Sequence, residues 1–418
     1  MQKRKNNNTG EMTYMQEQEI FERAERLDTA VLDEAILRFG TPTYIFDVGQ
    51  IRKTVRNIKR KIGENRNLCY AMKANPFLME ALSKEVNRIE VCSYGEYQIC
   101  RALSIPAEKL LISGVLKNWG ELWNILNECE DRAAYTIESL SQYACISDWA
   151  TRHGKRISVY LRLTSGNQFG MDEETLCNVV ELELERNQLD LRGIHYFSGT
   201  QKKMKKIEKE LQYLDDFMMN LKKKTSYLMP ELEYGPGLAV PYFVGQEDCR
   251  LEELQKVAEN LNSMQWKGKV TLEMGRAFVA NAGYYFTTVK DTKRNKDINY
   301  CIVDGGMHQM NYDGQIRGMY HPKLQVFPTP VSEEAQVWTI CGELCTGNDV
   351  LVQNISIPDL KVGSVLVFEN TGAYSVTEGM ALFLSHILPN VIMYSEQTGF
   401  RLARKRKDTY VINMRDTK

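Results

Sequence analysis

Lys73 closes the apolar run LCYAM and precedes the tight Ala74-Asn75-Pro76. A lysine where a buried strand runs out is either a surface residue or an amine held in a dry pocket, where it can attack a carbonyl. Other reactive types stand at the ends of later apolar runs. Ser93 ends IEVCS, and His195, Ser198 and Thr200 fall in and after GIHYFSG. Gly235, Pro236 and Gly237 end LEYGPG, and Glu273, Gly275 and Arg276 follow VTL. Each glycine turn alone is an ordinary tight turn, but together they offer backbone N–H groups to a phosphate. Glu273 could hold a protonated ring nitrogen. Lys73 could form an imine with an aldehyde if desolvation lowers its pKa enough to free the amine. Phosphate, ring nitrogen and aldehyde together describe pyridoxal 5′-phosphate.

The elements that must place these groups follow from patterning. Eight β-rich runs begin at Leu68, Ile89, Leu110, Ala133, Ile157, Gly193, Leu232 and Val270. Amphipathic stretches separate them; Met204, Ile207, Leu211, Leu214, Met218 and Leu221 recur at helical spacing. Eight strands alternating with helices predict a (β/α)8 barrel, whose site forms at the C-terminal ends of its strands. An open doubly wound sheet is the alternative. After Gly283 the runs INYCIVDGG, QVWTICGEL, SVLVFENTG and VIMYS are β-like with little helix between them, which predicts a separate β domain. The expected division is an N-terminal segment over 1–40, a barrel over 41–284 and a β domain over 285–418. Lys3 to Gly10 is polar and expected to be disordered.

The 418-residue chain is 43% hydrophobic and 26% charged with a net charge of −1. That balance supports a packed core and gives no general attraction to nucleic acid or anionic membrane. The N-terminus has no apolar segment of the secretory kind, and no apolar run is long enough to span a bilayer. Ten cysteines in such a chain are expected to be free thiols in a cytoplasmic protein. Cys341 and Cys345 form a C-x3-C without nearby histidine or a second cysteine pair, so no metal site is read from the sequence.

The ordered set YAMKAN, EVCSYGE, GIHYFSGTQ, YGPGL, EMGRAFVANAG, VDGGM, CGELCTGNDVL and NTGAYS, from about Pro42 to Leu388, resembles the barrel-type (alanine-racemase-like, fold type III) pyridoxal-phosphate decarboxylases, which include diaminopimelate and ornithine decarboxylases. The resemblance implies that Lys73 forms the imine with the cofactor and that Glu90 lies near it. Thr200, Gly235, Gly237, Gly275, Arg276 and Tyr374 would surround the phosphate, and Glu273 would pair with the pyridine nitrogen. Cys345, supplied by the partner of a homodimer, would return a proton to the substrate α-carbon. The first residues would join the C-terminal β domain. Racemases of this fold place an arginine at the ring nitrogen, so EMGR argues for decarboxylation.

Four departures bear on the substrate. Relatives carry an H-x-H pattern whose second histidine stacks on the cofactor; here it is His195-Tyr196-Phe197, so Phe197 would stack. Pro236 removes one N–H from the glycine turn. The residue after the cysteine, acidic in the diaminopimelate and ornithine enzymes, is Thr346. A neutral hydroxyl cannot balance a buried ammonium, whose lost partner costs about 3–5 kcal/mol. Where diaminopimelate enzymes place a carboxylate-binding arginine stands Tyr312, with Arg317 near enough to substitute, while Asp304 remains a possible ammonium partner. Together with DGGMH, LCTG and FLSH, these features resemble a branch from natural-product clusters that includes decarboxylases of glutamate tethered to an acyl- or peptidyl-carrier protein. The expected substrate is therefore a carrier-linked or distally masked amino acid. A free diamino acid decarboxylase, a racemase and a catalytically inert regulatory protein are the alternatives.

His308 and His386 are expected to be structural. The runs KKMKKIEKE, from Lys202 to Glu210, and RLARKRK, from Arg401 to Lys407, are expected to be solvated faces. The sharper reading is that one of them docks an acidic carrier protein.

Overall fold

The computed structural model describes residues 26–313 and 315–416; the polar Lys3–Gly10 segment lies outside them. The chain divides into two compact units. One takes in the chain up to Lys53 and from Asn281 onward, and the other is Thr54–Ala280.

The first strand, β1 (Thr43–Asp47), precedes the barrel in sequence but belongs to the sheet unit. The second unit is a closed, all-parallel barrel of eight strands. They are β2 (Asn67–Ala71), β3 (Arg88–Val91), β4 (Leu110–Ile112), β5 (Ala134–Ile137), β6 (Ile157–Arg162), β7 (Leu189–Phe197), β8 (Glu231–Gly235) and β9 (Lys269–Met274). The strands are near-continuous apolar runs because a parallel barrel strand is covered on both faces. Helices return the chain between them. Over Met204–Thr225 the predicted stripe is buried at Ile207, Leu211, Leu214, Met218 and Leu221, as a helix packed along one face requires. Side-chain caps set where helices begin: Ser93, Ser139 and Asp172 each accept a backbone N–H of the first turn. The barrel is the predicted architecture, and the open sheet is not formed.

The other unit is built on a nine-stranded sheet. Its strands are β1, β10 (Gly283–Asn295), β11 (Ile298–Val303), β12 (Leu324–Phe327), β13 (Ala335–Cys341), β14 (Val350–Pro358), β15 (Val365–Glu369), β16 (Asn390–Ser395) and β17 (Gly399–Arg404). β1 lies between β10, which it meets antiparallel, and β16, which it meets parallel. Ile45, Tyr284, Phe286, Val367 and Ile392 meet in its core with Leu32 and Ala35 of the helix Thr29–Phe39. An early segment thus completes the late sheet, because β1 pairs with the edges of both β10 and β16. No helix among the described residues is long and apolar enough to cross a membrane.

Candidate active site

The C-terminal ends of the barrel strands gather the groups singled out in the sequence. Lys73 sits in a one-turn 3-10 segment, Met72–Ala74, directly after β2. The turn is pinned by Asn75, whose side chain caps Phe77 N at 3.1 Å and whose carbonyl accepts the Tyr70 hydroxyl at 2.9 Å. Lys73 Nζ donates to Glu90 Oε2, on β3, at 2.7 Å and lies 3.8 Å from Cys92 Sγ. Glu90 is buried, while the Lys73 side chain keeps 38% of its surface exposed. Glu90, His195 and Glu273, from β3, β7 and β9, bring a carboxylate oxygen, an imidazole nitrogen and a second carboxylate oxygen within 4.8 Å of one another. His195 Nε2 and Glu273 Oε2 are 2.8 Å apart. Three strands far apart in sequence therefore converge on one buried acid–imidazole–acid cluster with a lysine at its edge.

The imine reading is conditional on desolvation freeing the Lys73 amine. Burial does oppose its charge, but Glu90, Cys92 and Glu273 outweigh that and hold the pKa well above the ordinary lysine value. Burial likewise opposes the Glu90 carboxylate, and Lys73 and His195 beside it hold its pKa well below the usual carboxylate range. Lys73 is an ammonium on a buried carboxylate, and the two form an ion pair with the proton on the lysine.

Two loops at the ends of β7 and β8 pack closely against each other. Lys202 N donates to Gly237 O at 2.9 Å and ties the loops together. Gly237 takes a left-handed φ of 59°, and a Cβ on it would lie 2.1 Å from Gly199 O. A Cβ on Gly235 would strike the Phe197 ring at 2.5 Å, and one on Gly275 would meet Ala74 Cβ at 2.8 Å. Backbone comes this close only where glycine allows it. Thr200 stands in the first loop, and Arg276 opens the short helix Arg276–Val279 after β9, its guanidinium 5.9 Å from the Tyr242 ring centroid.

Phe197 lies between two ammonium groups, with Lys73 Nζ 6.0 Å and Lys202 Nζ 5.9 Å from its ring centroid. Lys202 corrects an expectation. It begins the basic run read as a solvated face, yet it is buried and donates to Glu210 Oε2 at 2.5 Å and to Gly235 O at 3.2 Å. Burial, its largest influence, pulls its pKa below the ordinary lysine value despite Glu210. The reason is tertiary: the bridge to the Gly237 loop turns this side chain inward under Phe197, while Lys203, Lys205, Lys206 and Lys209 of the same run stay exposed or partly so. The sequence reading also passed over Cys92 and the buried Arg162–Glu138 pair at 3.1 Å. Arg162 is next to His195 in the β6–β7 register. Its only sequence signal was a charged residue closing the apolar run ISVYLR.

The remaining predicted residues belong to the sheet unit. Asp304 is already engaged: its carboxylate accepts from Thr41 Oγ1, Thr287 Oγ1 and Thr288 N and pairs with Lys290 Nζ at 3.1 Å. The Tyr312 hydroxyl donates to Glu369 O at 2.6 Å. Arg317 Nε donates to Asn348 Oδ1 at 2.7 Å. Tyr312 and Arg317 line a cavity of about 440 Å³ with Met307, Met310 and Ile316. Cys345 is exposed, and Thr346 beside it is partly so. Tyr374 holds a left-handed φ of 66°, a conformation a bulky side chain keeps only when its surroundings impose it.

The family profile described as "Pyridoxal-dependent decarboxylase, C-terminal sheet domain" matches residues 31–372. A diaminopimelate decarboxylase of Methanocaldococcus jannaschii is 26% identical over 81% of this chain and 83% of its own. An L-glutamyl-[BtrI acyl-carrier protein] decarboxylase of Niallia circulans is 26% identical over 91% of this chain and 94% of its own. The solved Methanocaldococcus jannaschii diaminopimelate decarboxylase, in complex with L-lysine, superposes with a TM-score of 0.80 at 24% identity, covering 91% of this chain and 92% of that one.

Proposed function

The chain belongs to the pyridoxal-dependent decarboxylases, and on that footing we propose that it removes the α-carboxylate of an amino acid whose far end is masked, glutamate tethered to a carrier protein being the leading case. That it is a pyridoxal-phosphate-dependent amino acid decarboxylase follows from family membership. The roles of individual residues and the identity of the substrate are our reading.

The barrel rim fits the cofactor. Lys73 would engage its aldehyde carbon, Phe197 would pack its ring, and Gly235, Gly237, Gly275, Thr200 and Arg276 would hold its phosphate where only glycine lets the backbone come so close; the resemblance adds Tyr374 to the phosphate contacts. When bound, pyridoxal phosphate supplies an electron sink for the pair left on the α-carbon as carbon dioxide departs. Glu273 keeps one oxygen on His195 and can turn the other to the ring nitrogen; a carboxylate there holds that nitrogen protonated. An acid rather than an arginine at this position is what supports decarboxylation over racemisation. Glu90 binds the Lys73 ammonium and, with its own pKa held well below the usual carboxylate range, stabilises that charge rather than taking the proton. Cys345, exposed on the sheet unit, would return a proton to the α-carbon from the partner of a homodimer.

The observation carrying the substrate reading is the neutral Thr346 after Cys345. The acid that might have met a distal ammonium, Asp304, is spent on Thr41, Thr287, Thr288 and Lys290. An unpaired ammonium buried there would cost several kcal/mol. The Niallia circulans relative acts on a carrier-bound glutamyl group. The test measures carbon dioxide released from free meso-diaminopimelate, ornithine and glutamate against glutamate loaded on a carrier protein. We expect turnover only of the loaded form. Free diaminopimelate consumed at an equal rate would overturn the reading and favour the free diamino acid alternative, which the Methanocaldococcus jannaschii relative represents.

A further inference from the structure

Outside the barrel, the sheet unit brings together three side chains that the proposed reaction leaves unused. His308, Glu343 and His386 come from three separate connections and place one nitrogen, one carboxylate oxygen and one nitrogen within 4.8 Å of one another. Glu343 Oε1 is 3.3 Å from His308 Nε2 and 3.2 Å from His386 Nδ1. A tetrahedral centre with bonds of about 2.0–2.1 Å has ligand–ligand edges of about 3.3–3.4 Å, so both nitrogen–oxygen edges already have the required length. His308 is 2% exposed, and neither of its ring nitrogens makes a hydrogen bond. Nε2 faces the Glu343 carboxylate without hydrogen-bond geometry, so the buried imidazole recovers little of its lost hydration, and a cation at Nε2 would bind both groups. Glu343 and His386 are partly exposed, which leaves the fourth position open on the solvent side.

Hydrogen bonds on neighbouring residues fix the loops that carry the three side chains. Gln309, next to His308, donates through Nε2 to the carbonyl of Ile387, next to His386, at 2.9 Å. Glu343 N donates to Gly305 O at 2.9 Å. The Asp349 carboxylate accepts from Met307 N at 2.8 Å and Leu344 N at 2.9 Å, neighbours of His308 and Glu343. Leu384 and Ser385, just before His386, both take left-handed φ values of 57° and 59°. Two consecutive non-glycine residues persist in that region only where the local fold imposes it.

We propose that His308, Glu343 and His386 bind a first-row divalent cation, zinc being the best match to two imidazoles, one carboxylate and tetrahedral edges. Glu343 lies two residues before Cys345, so the cation would also fasten the loop that carries this thiol. Metal binding itself does not depend on the decarboxylase reading.

The test uses the full-length protein as purified with its cofactor, stripped with EDTA and desalted. It is titrated with cobalt(II), followed by its d–d absorption, and then with zinc(II) in competition. One equivalent per chain is expected, displaced by zinc. H386A and E343Q, both at partly exposed positions, should weaken binding at least 100-fold while keeping the wild-type circular dichroism and melting curve. H308A serves as a third variant. Absence of a saturable cobalt spectrum, or equal affinity in H386A and E343Q, would overturn the site. So would a thiolate-to-cobalt charge-transfer band, which would place the metal on cysteine. The fastening of the loop is read separately by alkylating Cys345 with iodoacetamide. The metal-loaded protein should react several-fold more slowly than the stripped one; equal rates would refute that part and leave binding standing.

Discussion

Replacing Glu90 by glutamine removes the charge that holds Lys73 protonated while keeping the shape of the side chain. The pair is 2.7 Å apart, with Glu90 buried and 38% of the Lys73 side chain exposed. At that distance and an effective dielectric of about 20, the attraction is about 6 kcal/mol. Solvent reaching Lys73 screens it, and taking half leaves about 3 kcal/mol. That corresponds to roughly a hundredfold change in the fraction of free amine at a given pH. The cofactor-free protein would be mixed with pyridoxal phosphate over a pH series, reduced with borohydride, and the label on Lys73 quantified by peptide mapping. In E90Q the pH midpoint for labelling should fall by about two units, because the free amine then exists at lower pH. A midpoint displaced by less than about half a unit would refute the claim that Glu90 governs this amine. Stability follows with a definite sign. The folded Glu90 pKa is depressed, so its contribution is present above the ordinary glutamate pKa and lost as pH falls through the folded value. Lys73 is raised, so its share is complete below the ordinary lysine pKa and lost as pH rises through the folded value. The stability gap between wild type and E90Q should therefore be widest near neutral pH and close at both extremes.

Other perturbations have equally definite outcomes. G237A places a Cβ 2.1 Å from Gly199 O at a left-handed φ; we expect at least a tenfold loss of pyridoxal-phosphate affinity in a fluorescence titration and a stability loss of about 1–2 kcal/mol. K202M strands the buried Glu210 carboxylate beside the Ser198 and Tyr234 hydroxyls. Urea unfolding should show a loss of about 3–5 kcal/mol, which K202M/E210L recovers in large part; equal losses in both would disprove the pairing as its cause. T346E should raise carbon dioxide release from free diamino acids relative to a carrier-bound glutamyl group, since it restores a charge where the chain has a neutral hydroxyl. An unchanged ratio would remove Thr346 from the substrate argument.

Much of the site was legible before any coordinates because parallel barrels are written locally. A strand covered on both faces must be an apolar run, and polar or glycine residues at its C-terminal end then stand out, as Lys73, His195, Gly235 and Glu273 do. Which of those ends meet is a matter of barrel closure, with β2 pairing with both β3 and β9. Order along the chain already implies that closure once eight strands are counted. The stripe over Met204–Thr225 was readable for the same reason, since helical periodicity depends only on neighbours in sequence.

Three features depended on contacts between distant segments. The sequence determined that an amine ends the first barrel strand, but its charge state depends on Glu90, Cys92 and Glu273 arriving beside it, which reversed the effect expected of burial alone. Lys202 reads as one more lysine in a basic run until the loop bridge at Gly237 turns it inward. His308, Glu343 and His386 have no metal spacing at all, because residues 35 and 43 positions apart are brought together by strand connections rather than by one helix or loop. Local pattern records whether a residue is covered; only tertiary packing decides which charges share the covered space, and electrostatic energy, falling with distance rather than with sequence separation, follows the packing.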